Sequence, residues 1–193
     1  MNEMFCFQCQ QTAHNTGCNG KAGVCGKKAD TANFQDELVG ALIGLARAAK
    51  NGHPTAQTDE LVLKGLFTTI TNVNFNNETV KKMKTQIEKE KGRINSESFD
   101  DHDMKKLWDE HEDIRSLKSL ILFGIKGMAA YAYHALALGK TDSGVNSFFY
   151  EALRSIGDEN DPDKLLSLVL KTGEVNFKCM AMLDAANTDA YGD

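Results

Sequence analysis

"SLILFGIKGMAAYAYHALALG", Ser119–Gly139, is the most apolar stretch of the chain, and it carries Lys126 and His134 in its interior. A membrane span needs about 20 largely uncharged apolar residues. Two ionisable groups in mid-run therefore point to a buried core helix instead. Apolar residues occur nearly all the way round it, which predicts a central position in an all-helical core. Gly124, Gly127, Ala129, Ala130 and Ala132 leave room for neighbouring helices to approach. Only two prolines, Pro54 and Pro162, interrupt 193 residues, so long elements are expected on either side.

Downstream, "TDSGVNSFFYEALRSIGDEN" predicts a helix capped by Thr141 and ending near Gly157. The next begins with Asp161 as N-cap and Pro162 at the first helical position, a favoured pair. Leu165, Leu168, Val169, Val175 and Met180 continue its inner face. Upstream, "NSESFDDHDMKKLWDEHED" is the least regular segment and reads as a junction with a short helix. "NNETVKKMKTQIEKEKGRI" predicts a polar helix with a narrow face of Val80, Met83 and Ile87. "TDELVLKGLFTTITNVNF" predicts a helix with Thr58 as N-cap and a stripe of Leu61, Gly65, Leu66 and Ile70. "TANFQDELVGALIGLARAAKNGHP" places Phe34, Leu38, Ala41, Leu42 and Leu45 on one face, with Thr31 or Asn33 as cap and Gly52 and Pro54 as the stop. No strand is expected. The organisation is a cysteine-rich loop over 1–30, a first helical bundle over 31–97 and a second over 98–193.

The loop "CFQCQQTAHNTGCNGKAGVC" holds four of the five cysteines. No signal peptide is expected at the N-terminus, so disulfides are improbable and metal or redox roles come forward. The spacing is Cys6-x2-Cys9, then eight residues to Cys18 and six to Cys25. A Cys-x2-Cys pair turns two sulfurs toward one centre, and two returning thiolates complete four ligands. Four thiolates suit an iron–sulfur cluster. They also suit tetrahedral zinc, although structural zinc sites usually carry two closely spaced pairs. Gly17, Gly20, Gly23 and Gly26 surround the second pair, and Met4, Phe5, Phe7 and Val24 are candidates to screen the site from water. Lys27 and Lys28 either offset the thiolate charge or face solvent. Cys179, alone in a helical pattern, reads as a buried small hydrophobe.

A net charge of -5 excludes nucleic acid as the main partner. No phosphate-binding glycine loop, no Ser/His/Asp order and no paired catalytic carboxylates occur. His102 and His111, among acidic residues, read as solvated surface in preference to a second metal site. His134 reads as a core histidine, and His14 lies inside the cysteine loop. Trp108, Tyr131 and Tyr133 are packing aromatics that are also candidates for an electron path.

"MFCFQCQQTAHNTGCNGKAGVCGK", "TANFQDELVGALIGLA", "ITNVNF", "EDIRSLKSLILFGIKGMAAYAYHALALG", "VNSFFYEAL" and "LVLKTGEVNFKCMAMLDAANTDAYG" together resemble the N-terminal region of the hybrid-cluster proteins, also called prismane proteins or hydroxylamine reductases. The resemblance implies an all-α domain of two packed three-helix bundles behind a cysteine loop. It implies a [4Fe–4S] cluster on Cys6, Cys9, Cys18 and Cys25, with [2Fe–2S] the form in another class of the family. Full-length members carry further domains with a hybrid cluster that reduces hydroxylamine or nitric oxide, and those motifs are absent from this sequence. The resulting expectation is a cytoplasmic electron-transfer module, fed by a small redox donor protein and inactive on hydroxylamine by itself. The alternative is a zinc-binding or metal-free helical assembly module. It would dock missing catalytic domains, or a second copy, through an exposed apolar face near Phe123 and Met128, without nucleic acid or membrane.

Overall fold

The computed structural model describes residues 3–11 and 13–192. A two-stranded antiparallel ribbon, β1 (Met4–Phe5) and β2 (Asn19–Gly20), opens the chain. Seven helices follow: α1 (Ala29–Asn51), α2 (Ala56–Thr68), α3 (Asn77–Ile94), the short α4 (Lys105–Asp109), α5 (Glu112–Ala137), α6 (Ser143–Asp158) and α7 (Pro162–Tyr191). The all-α expectation holds. The ribbon corrects the expectation of no strand: two residues per strand are too few to write an alternating pattern into the sequence.

α1 packs on α2 and α3, α5 packs on α6 and α7, and the two triplets meet where α1 touches α6 and α2 touches α5. One hydrophobic cluster runs through both, from Leu38, Leu42 and Leu66 to Ile121, Ile125, Phe149 and Leu153. α1 is the more deeply buried helix, with Leu38 through Ala46 all inside. α5 is long and apolar enough to cross a membrane, but it packs on α2, α6 and α7 and keeps Leu120 and Tyr131 at the surface. α5 is central as expected in touching α2, α4, α6 and α7, while α1 is the more buried, and its Gly40 and Gly44 admit another segment closely. Residues 100–104 lie against it, with the His102 N–H donating to the Gly40 carbonyl at 3.1 Å.

Each helix start satisfies N–H groups that have no partner within the helix. Asp161 caps α7 as expected, its carboxylate accepting from the N–H groups of Asp163 (3.0 Å) and Lys164 (3.4 Å) behind Pro162. Asn76 accepts from Glu78 and Thr79 at the start of α3. Three expected caps shift. α6 is capped by Asp142, which accepts from the Val145 N–H at 2.8 Å, in place of Thr141. α2 begins after Thr55, and Thr58 sits one turn inside, where its hydroxyl accepts from the Thr55 N–H and donates to buried Glu90. α1 begins at Ala29, so Thr31 lies inside it and donates to Asn77 at 2.7 Å, while Asn33 is no cap. In α7, Leu165 and Val175 are buried as expected, whereas Met180 is 45% exposed because α5 and α6 cover only one side of so long a helix.

Candidate metal centre

The ribbon sets Met4 opposite Gly20 and Phe5 opposite Asn19. It continues with the Cys6 N–H donating to the Cys18 carbonyl at 3.0 Å, so two of the four cysteines are neighbours through their backbones. The chain then doubles back. The Gly23 N–H donates to the Lys27 carbonyl (2.8 Å), the Gly26 N–H to the Gly23 carbonyl (2.9 Å) and the Ala29 N–H to the Lys21 carbonyl (3.1 Å). Gly26 turns this fold at a φ of 83°, a conformation that side chains disfavour. Cys18 and Cys25 meet across the fold. Their sulfurs lie 3.5 and 3.6 Å from the point where a Cβ on Gly23 would stand, and the Val24 N–H points at the Cys18 Sγ at 3.5 Å.

All four loop cysteines are free and half-buried. Among the described residues, no three Cys, His, Asp or Glu side chains already stand close enough to grip one metal ion. The structure therefore brings the Cys18 and Cys25 sulfurs beside Gly23 and ties Cys6 to Cys18 through the ribbon, with Cys9 three residues after Cys6 in the same turn. Soft thiols, a glycine beside two sulfurs and a backbone N–H aimed at sulfur form a donor set that fits a thiolate-bound centre. Met4 and Phe7 are buried beside the loop and Phe5 half-buried, as the screening role requires, but Val24 is 66% exposed and screens nothing.

Beneath the loop lies a buried polar network. Gln8, inside the Cys6-x2-Cys9 turn, is 2% exposed. Its amide nitrogen donates to the Asp36 carboxylate on α1, and its amide oxygen accepts from the Lys126 ammonium on α5. Lys126 also reaches the Gln8 carbonyl at 3.4 Å and the Thr69 carbonyl at 3.5 Å. Lys27 is 2% exposed, so it does not face solvent, and its charge acts on Cys6, whereas Lys28 is exposed. Burial pushes the Asp36 carboxyl up to about 7, opposed by the Gln8 amide and the charge of Lys126. Burial likewise pushes Lys126 down to about 7, and Asp36, Cys6 and Cys9 oppose that shift while Lys27 adds to it. The Cys6 thiol is raised by burial against the opposing Gln8 N–H and Lys27 charge. Asp36 and Gln8 carried no motif, and Lys126 stood out in the sequence only as a cation in an apolar run. That was the available signal, since a charge at a core position needs partners.

The other candidates disperse. His14 is exposed with a left-handed backbone, φ 54°. His111 is exposed, and its Nδ1 caps α5 by accepting from the Asp113 N–H at 3.4 Å. His102 is half-buried, with Nε2 shielded and unpartnered. His134 is exposed on α5 with its ring edge against Phe67, which corrects its reading as a core histidine. Tyr133 stacks on Phe67 (4.7 Å), while Trp108 lies on Phe5 (4.3 Å), which in turn meets Phe7 (4.9 Å). Trp108 is thus the one of the three candidate aromatics that touches a residue flanking Cys6. Met128 is fully buried and Phe123 packs on the core, so neither forms an exposed docking face. Exposed apolar side chains lie elsewhere instead, among them Leu120 on α5 and Leu166, Leu170 and Phe177 on α7.

A family model described as "Prismane/CO dehydrogenase family" matches residues 4–193. The chain is 39% identical over 221 residues to a hydroxylamine reductase of Desulfitobacterium hafniense and 41% identical over 218 residues to one of Solidesulfovibrio magneticus. It is 39% identical over 214 residues to another from Methanocaldococcus jannaschii. Each comparison covers 98% of this chain and 40% of the relative, so the chain spans about two fifths of the length of these proteins. A match of such extent, over a helical fold with four of its five cysteines gathered in one N-terminal loop, means that this chain belongs to the Prismane/CO dehydrogenase family.

Proposed function

We propose that Cys6, Cys9, Cys18 and Cys25 hold an iron–sulfur cluster, [4Fe–4S] as the first choice, and that the chain carries single electrons. The observation that carries this reading is the convergence of Cys18 and Cys25 on Gly23 while Cys6 is tied to Cys18 through the ribbon. A cluster bound there would supply a one-electron couple. The protein's own part is to hold four thiolates, to keep water from one side with Met4 and Phe7, and to place the buried cations Lys27 and Lys126 beneath them. Nearby positive charge favours thiolate over thiol and so favours metal binding.

In the longer relatives named hydroxylamine reductase, the counterpart of this chain is two fifths of the protein. We assign it the role of passing electrons, received in the cytoplasm from a small redox protein, to a reducing centre in the remaining part. The chain alone is then expected to leave hydroxylamine unreduced. The test is oxygen-free reconstitution with ferrous iron and sulfide. The expected product is brown, holds about four irons and four sulfides per chain, and bleaches on reduction. Replacing any one of the four cysteines by serine should abolish or alter the colour. A colourless product with one zinc per chain, or one without acid-labile sulfide, refutes the proposal.

A further inference from the structure

The Lys126 side chain reaches from the middle of α5 into the Cys6-x2-Cys9 turn. It is buried, and its oxygen partners are both oxygens of Gln8 and the Thr69 carbonyl. An ammonium there is costly unless it is paired. Asp36 offers one countercharge, but it lies on the far side of the Gln8 amide and also accepts from that amide and from the Phe7 N–H. Lys27 is buried close by, so two buried cations face one half-buried carboxylate. The missing negative charge lies on the other side of the same turn, where Cys6 and Cys9 stand within electrostatic reach of Lys126.

Resting on the reading above, we propose that Lys126 is the positioning residue and fixed counter-charge of the thiolate-bound centre, with Asp36 as its opposing element. The Gln8 amide transmits both: it fixes the turn carrying Cys6 and Cys9, and it keeps the ammonium on one side and the carboxylate on the other. Neutralising Lys126 should weaken metal binding by the thiolates and disfavour the electron-rich state of a bound cluster. Neutralising Asp36 should do the reverse. Loss of a mere scaffold contact would weaken the site in both variants, so the opposed signs identify charge as the cause.

The experiment uses the full chain as wild type, Lys126→Met and Asp36→Asn, with far-UV circular dichroism reporting the fold. Zinc affinity is measured by competition with a chromophoric chelator, and the midpoint potential is measured after loading with iron and sulfide. Lys126→Met is expected to bind zinc on the order of tenfold more weakly. Its midpoint potential should fall by a similar factor in the one-electron equilibrium, about 59 mV per tenfold. Asp36→Asn is expected to bind more tightly and to have a higher potential. Both variants weaker, both within twofold of wild type, or the signs reversed would overturn the inference. If Lys126→Met does not fold, the sign for Asp36→Asn decides. If the wild type assembles no iron–sulfur cluster, the electron-carrier reading fails, and the zinc comparison still decides the role of Lys126.

Discussion

Gly40 offers a sharp test of how α1 receives the segment that precedes α4. A Cβ at this position would stand 2.2 Å from the His102 carbonyl oxygen and 3.3 Å from its carbon, and the obstacle is backbone, which no side-chain rotation removes. Residues 100–104 would have to retreat by about 1 Å to regain van der Waals distance. The retreat strains the 3.1 Å bond from the His102 N–H to the Gly40 carbonyl, worth about 1 kcal/mol. It also disturbs Met104 and Leu107, both buried, for an overpacking cost of about 1–3 kcal/mol. Alanine returns about 1 kcal/mol through helix propensity. Gly40→Ala should therefore lose about 2 kcal/mol, a fall in Tm of about 4–8 °C for a domain of this size. Gly173, in mid-α7, has nothing within 4 Å of an added Cβ. There the propensity gain stands alone, and Gly173→Ala should raise Tm by about 2–4 °C. Thermal melts followed at 222 nm check both variants. A Gly40→Ala protein as stable as Gly173→Ala would refute the close approach.

Three further outcomes follow from buried groups. His102 resists protonation, chiefly because of burial and then because of the positive charges of Arg47, Lys118 and Lys106. As pH falls through the ordinary histidine range, near about 6.5, the unfolded chain takes up a proton that the folded chain refuses, so stability drops. Urea melts from pH 8 to pH 5 should show wild type losing more stability than His102→Gln, and parallel losses would contradict this. Arg93 holds the Glu90 carboxyl below its usual range by hydrogen bonding, assisted by Thr58. That contribution is present above the ordinary carboxylate value and lost as pH falls through the lowered one. Glu90→Gln should therefore be less stable than wild type at pH 7, with the gap closing in acid, as unfolding curves at the two pH values would report. Cys179 is fully buried, and its thiol is pushed up to about 11 by burial. Brief alkylation of the folded, metal-free chain, read by mass spectrometry, should leave Cys179 unmodified and reach it only after unfolding.

What the sequence conveyed depends on the range of each signal. Helix positions were legible because apolar spacing and the Asp161–Pro162 start are local patterns. The choice of Asp142 over its neighbour Thr141 was not, since two adjacent residues can both cap and only the backbone path selects one. The cysteine loop was visible as a cluster of ligand-type residues, but its pairing through Gly23 depends on how the chain doubles back. The buried network was hidden because its members lie 28 and 118 residues from Gln8. α5 is less buried than its apolar composition suggests, because composition reports what a helix tolerates, whereas Leu120 and Tyr131 on one side of α5 stay in solvent.

The amide of Gln8 has its own consequence for how the molecule comes apart. One side chain of the loop grips α1 through Asp36 and α5 through Lys126, and that lysine also touches the carbonyl of Thr69 just past the end of α2. A rivet through three helices ties the N-terminal strand of the ribbon to both helical triplets at once. Heat cannot then release one triplet and spare the other without first drawing the loop away, so the whole assembly should surrender in a single step, with the cysteines scattered at the same moment as the helices.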